Sequence, residues 1–151
     1  MSRHQTRLDE RFDRAALRAG ASVALVFAVP FSVAARWVAD RRDGSGLAVL
    51  LSLGAVVGFV LGAGVAAWVQ QRGLPLSHGL VTAGGTYCIA QAVFVVIRIV
   101  RGDDVHWFAV SFNLSIALGA GLLGGYLGQT LQRRGITPSR SSGRGPGGDG
   151  R

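Results

Sequence analysis

Lysine is absent from this chain of 151 residues, and acidic residues number only eight; all 16 basic residues are arginine. Cysteine and methionine occur once each and proline four times. A single cysteine excludes a disulfide-stapled secreted domain, and so few prolines exclude a collagen-like repeat. Charged residues make up 16% of the chain, and the apolar content is far too high for a disordered one. The length is that of one ordinary domain rather than two.

What is abundant is small and apolar. The hydrophobic share is 49%, and 23 glycines stand beside it. Counted with glycine and without tyrosine, the apolar share is roughly 63%, where soluble domains hold about 45–50%. The net charge of +8 is the one feature that points to nucleic acid, and the placement of the arginines decides against it.

Charge is missing in four long stretches. Nothing charged lies between Arg18 and Arg36, between Asp43 and Arg72, between Arg72 and Arg98, or between Asp104 and Arg133. Each stretch holds an apolar run of about 17–25 residues, the length of a membrane-spanning helix. Surface helices of a soluble bundle would carry a charge every few positions on their outer face. The sequence therefore predicts an all-α membrane protein with four transmembrane helices, spanning about 19–37, 46–70, 75–98 and 107–131. The first run ends without a small-x-small cleavage site and is preceded by Asp9, Glu10 and Asp13, so it reads as a helix rather than a signal peptide.

The arginines then sort by side. Eleven lie in the N-terminal segment, the middle loop (Arg72) and the C-terminal segment; Arg36, Arg41, Arg42, Arg98 and Arg101 lie opposite, mixed with aspartates. The side richer in arginine is expected to be cytoplasmic, which places both termini inside a cell (inner) membrane. Trp37, Trp68 and Trp107 fall near span ends, where indole prefers the headgroup boundary. Residues 1–18 read as a cytoplasmic amphipathic arm, with Glu10 and Arg14 paired four apart. Residues 133–151, rich in Gly, Ser, Pro and Arg, read as a disordered cytoplasmic tail. The expected partners are the bilayer and its anionic headgroups, with a homo-oligomer or another membrane protein possible and nucleic acid excluded.

A shift of 62 positions aligns Arg36 with Arg98 and Gly62 with Gly124, and sets Gln70-Gln71-Arg72-Gly73 on Gln132-Arg133-Arg134-Gly135. Matches of a rare residue type carry the comparison, and they point to a tandem repeat of two helical hairpins related by an axis along the membrane normal.

Chemistry-bearing patterns are few. His4, His78 and His106 are scattered, Cys88 lies inside an apolar run, and no phosphate-binding loop, nucleophile elbow or zinc motif is present. The sequence thus predicts no enzyme, no cofactor and no metal. Glycines four apart, Gly54, Gly58 and Gly62 in the second span and Gly121, Gly124, Gly125 and Gly128 in the fourth, mark helix-packing faces, within the bundle or between copies.

Tyr87, Gln91, Asn113 and Ser115 form a candidate intramembrane polar site in the second hairpin. An unpaired amide in hydrocarbon is costly, so a Gln91–Asn113 hydrogen bond is expected, contributing about 0.6–2 kcal/mol. Either these residues bind the helices together or they line a polar cavity open to the outside. No Asp, Glu or Arg occupies mid-span, which argues against a proton-coupled exporter but not a passive pore; Arg36 and Arg98, near the outer ends, can reach water or pair with Asp40 and Asp103. Two functions follow: a structural or partner subunit of a membrane assembly, and alternatively a small channel or facilitator.

Overall fold

A computed structural model describes residues 12–41 and 46–136. Most of the arm expected over 1–18, and the tail from 137 onward, lie outside the described residues. The described chain forms four helices: α1 (Arg14–Ala39), α2 (Gly46–Val69), α3 (Pro75–Arg101) and α4 (Trp107–Arg133), with no strand among the described residues. All four are long and apolar enough to cross a membrane.

Each helix starts and stops for local reasons. The Asp13 carboxylate accepts from the N–H groups of Ala15 and Ala16 at 3.0 and 3.2 Å, so α1 begins at Arg14, within the stretch read as the amphipathic arm that feeds the first span. Pro75 opens α3 at the position where a missing N–H is harmless. Gly102, at φ 75°, closes α3 in the left-handed conformation that side chains disfavour. Pro30 interrupts the hydrogen-bond ladder inside α1, on an exposed face.

The helices alternate in direction along the chain. α1 packs antiparallel to α2, α3 antiparallel to α4, and α2 runs parallel to α4 between them, while α1 and α4 hardly meet. One end of the bundle holds the start of α1, the α2–α3 turn and the end of α4; it is called the basal end here. The other, the open end, holds the α1–α2 and α3–α4 connections.

Packing inverts the soluble pattern. Every buried hydrophobic residue among those described is alanine, and the largest fully buried side chain is His78. Leucines, valines, isoleucines and phenylalanines cover the outside, with Phe108 84% exposed. The core is thus made by backbones approaching over small residues, which contributes dispersion contacts instead of large buried side chains.

The seven candidate glycines all meet other helices of the same chain. A Cβ on Gly62 would lie 2.6 Å from the Gly20 carbonyl oxygen, and one on Gly58 would lie 2.7 Å from the Ala28 nitrogen. Gly54 packs under the Phe31 ring. Gly121 and Gly125 lie against Gly79, Leu76 and Ala83 of α3, while Gly124 and Gly128 lie against Val60, Ala63, Gly64 and Ala67 of α2. Most of these contacts belong to the basal half; toward the open end the helices separate.

Candidate functional site: a cavity at the open end

The separation of the helices leaves a cavity of about 460 Å³ to which all four contribute. It is lined by α1 from Ala28 to Ala39 and by α2 from Ala48 to Phe59. Each of those segments rises about 16 Å at 1.5 Å per residue, so the cavity runs through much of one half of the bundle. α3 contributes Tyr87, Ala90, Gln91 and Phe94, and α4 contributes Asn113, Ile116 and Ala117.

Tyr87, Gln91 and Asn113, three of the four candidate polar residues, line this cavity. Tyr87 is held in place: its hydroxyl donates to the Val110 carbonyl oxygen at 2.8 Å, and its ring stands 6.4 Å from that of Phe59. Ser115 is exposed and outside the lining, and its hydroxyl donates to Ser111 O at 3.1 Å within its own helix.

The expected Gln91–Asn113 hydrogen bond is not formed among the described residues; both amides face the cavity without a protein partner. The reason lies in the packing of α3 on α4. Close approach of the backbones is set by Gly79 and Ala83 against Gly121 and Gly125, nearer the basal end; beyond it the two helices are joined through Leu118 against Gly84 and the Tyr87 hydroxyl on the Val110 carbonyl oxygen, not through the two amides.

Of the two alternatives for Arg36 and Arg98, pairing with an aspartate side chain is not formed among the described residues. Arg36 lines the cavity and places its guanidinium 5.6 Å from the centre of the Phe94 ring, joining α1 to α3 by a cation–π contact. Arg98 donates to the Asp104 carbonyl oxygen at 2.9 Å, with His106 Nδ1 3.5 Å away. Ser32 and Ser52 add hydroxyls to the wall, although Ser52 donates to Ala48 O at 2.9 Å. No Asp or Glu lines the cavity among the described residues, so its only formal charge there is that of Arg36.

The basal half is shut. Beneath the cavity lie the glycine and alanine contacts, and at the basal end two glutamines clasp α2 to α4. Gln132 Nε2 donates to the carbonyl oxygens of Trp68 and Gln70, each at 2.9 Å, capping the end of α2. Gln70, 3% exposed, accepts from Arg72 N–H at 2.7 Å through its side-chain oxygen and approaches Gln132 Oε1 at 3.5 Å through Nε2.

His78 fastens α1 to α3 at the same end. Its Nε2 accepts from the Asp13 N–H at 2.9 Å, so Nδ1 carries the proton and donates to Leu74 O at 2.8 Å. The Phe12 ring packs 5.3 Å from the imidazole. Among the described residues no group of His, Cys, Asp or Glu could hold a metal ion.

Arg36, Gln70, His78 and Gln132 escape sequence reasoning as site or structural residues. Gln70 and Gln132 are visible in the sequence as the aligned ends of the two hairpins; His78 carries no local sign, because its partner lies 65 positions away. Gly20 with Ala24, and Gly79 with Ala83, repeat the four-residue spacing that marks the other faces. No family model matches the chain, and neither does any curated protein or solved structure.

Proposed function

We propose that this chain is a multi-pass inner-membrane protein, without enzymatic activity, that admits a small solute from the outer face into its open-end cavity and facilitates its passage. The observation that carries the proposal is the cavity itself, with the unpaired amides of Gln91 and Asn113 in its wall. Interhelical glue would have closed α3 and α4 around those amides. The all-alanine buried set and the aliphatic exterior support placement in a bilayer. The arginine excess supports a cytoplasmic basal end, where each arginine near anionic headgroups contributes about 1 kcal/mol.

The packing-subunit reading rests on small-residue faces available to a partner, and the seven glycines of those faces are occupied within the chain. A duplicated hairpin accounts for the architecture. Gln70 meets Gln132, 62 positions on, and Gly73 and Gly135, also 62 apart, end their turns at φ 71° and 73°. The related axis passes between the parallel helices α2 and α4. With the basal half closed, the chain is in an outward-open state, and passage requires the α2–α4 clasp to loosen.

The test uses an Asn113→Cys variant in a Cys88→Ala background. A membrane-impermeant charged maleimide, added to the outer face of intact spheroplasts, is expected to label it. Proteoliposomes of the wild-type protein are expected to take up at least one of a panel of small solutes faster than those of Gln91→Leu. Failure of the maleimide to label Asn113→Cys, or equal uptake across the panel, refutes the proposal.

A further inference from the structure

We infer that the cavity selects small organic anions, with Arg36 as the group that receives the negative charge. This inference deepens the reading of the cavity as a solute site and rests on it. Three observations carry it. First, the lining among the described residues holds one formal charge, a guanidinium, and no carboxylate. Second, the guanidinium makes no ion pair among the described residues and lies over the Phe94 ring, which leaves its N–H edge available. Third, the rest of the wall is mostly apolar, including Phe59, Phe94 and Ile116, with the hydroxyls of Ser32, Ser52 and Tyr87, of which the last two already donate to backbone carbonyl oxygens, and the two unpaired amides of Gln91 and Asn113.

A positive charge in the cavity wall repels cations and attracts anions by the same field, most strongly at low salt. Guanidinium presents parallel N–H donors that match a carboxylate or a phosphate monoanion in a forked geometry. Were the natural ligand a cation, the wall would need an acidic residue, and the described lining has none. A neutral polyol would need polar groups throughout, yet the wall is mainly alanine, valine and aromatic carbon. The complementary ligand therefore has one anionic group, an apolar body and a further hydrogen-bonding group or bound water that reaches the amides. A volume of about 460 Å³ accommodates a body of benzoate size with room to spare, in the range of small-molecule pockets. Such a monoanion can arrive from water as a soluble carboxylic acid, or from the outer leaflet as a fatty acid entering head-first.

The probes are benzoate, benzylammonium and benzyl alcohol, which share a ring and differ in charge. Binding is measured by titration calorimetry to the full-length protein in an uncharged detergent at low salt. Benzoate is expected to bind, benzylammonium not to, and Arg36→Gln to weaken benzoate about ten- to a hundredfold, the range of a charge-assisted hydrogen bond lost. Arg36→Lys keeps the charge without the fork and is expected to fall between. Arg36 is exposed, so these variants should fold, as unchanged thermal unfolding would verify.

Oleate in uncharged-lipid nanodiscs supplies the second source. If oleate displaces benzoate from the wild type and not from Arg36→Gln, the anion comes from the membrane; if it does not displace it, the anion comes from water. Either result supports the inference. Benzylammonium binding as well as benzoate, unchanged benzoate affinity in Arg36→Gln, or no binding of benzoate or oleate overturns it. Benzyl alcohol bound in a Gln91-dependent manner, with benzoate indifferent to Arg36, would remove the anion selectivity and leave the solute cavity standing; an Asn113→Cys variant that stays unlabelled would remove the cavity reading itself.

Discussion

Replacing Gly124 by alanine adds one methyl group where α4 crosses α2. That Cβ would fall against the Val60 carbonyl oxygen, 2.7 Å from the Ala63 Cβ and 2.8 Å from the Gly64 nitrogen. Ordinary contact begins near 3.4 Å, so the shortfall is roughly 0.6–0.7 Å. None of those atoms can rotate away, because each is backbone or a first side-chain carbon. The two helices must part by a similar amount, and a gap of about 0.5–1 Å forfeits a quarter to a half of each neighbouring dispersion contact. Overpacking of this kind costs about 1–3 kcal/mol, a five- to 150-fold shift in the folding equilibrium. Gly119, in the same helix, has nothing within 4 Å of a Cβ. Gly119→Ala should be neutral, or stabilising by up to about 1 kcal/mol through helix propensity. The assay is unfolding in mixed micelles of dodecyl maltoside with rising dodecyl sulfate, followed by circular dichroism. Gly124→Ala should unfold at lower sulfate fraction than the wild type, and Gly119→Ala at the same or higher. If the two variants unfold together, close α2–α4 packing is not what holds the bundle.

His78→Phe removes the acceptor of the Asp13 N–H and leaves that half-buried donor unpaired beside an aromatic ring, a loss of about 1 kcal/mol confined to the first turn of α1. Hydrogen exchange by mass spectrometry should accelerate about fivefold in peptides covering the start of α1 and not in those of α4; uniform exchange would refute the fastening role. Gln132→Leu strips the cap from the Trp68 and Gln70 carbonyl oxygens and should destabilise by a similar amount, while Gln71→Leu, an exposed position, should change stability by under about 0.5 kcal/mol. Equal unfolding midpoints for those two variants would show that the glutamine clasp does not hold the basal end.

The four helices are legible in the sequence because a charge at the centre of an apolar run is so costly that its absence marks the run's extent. The glycine faces are legible because residues four apart share one side of a helix. The first helix runs from Arg14, so the end of the amphipathic arm and the first span are one continuous helix. Arg14 and Arg18 can extend their stems along the apolar surface, and Asp13 supplies the cap. Tyr87, Gln91 and Asn113 stand out by polarity alone, but polarity does not say whether two amides meet. That depends on how α3 and α4 pack above Gly79 and Gly121, where Leu118 and Tyr87 make the contacts instead. That Arg36 does not pair with Asp40 is likewise decided between helices. Sequence proximity favours the aspartate four residues on, while the approach of α1 to α3 carries the guanidinium over Phe94.

The sequence alone determined the number of helices, their approximate ends and the small-residue faces by which they pack. These follow from local energetics, the cost of burying charge and the steric room a missing side chain leaves, which are fixed along each helix before it meets another. Only the tertiary structure decided which glycine meets which helix, where packing ends and a cavity begins, and that one arginine stands in its wall with no carboxylate among the described residues. Those depend on crossing points between helices distant in sequence. Contact between them falls off within an ångström, so a small divergence separates a closed core from an open site.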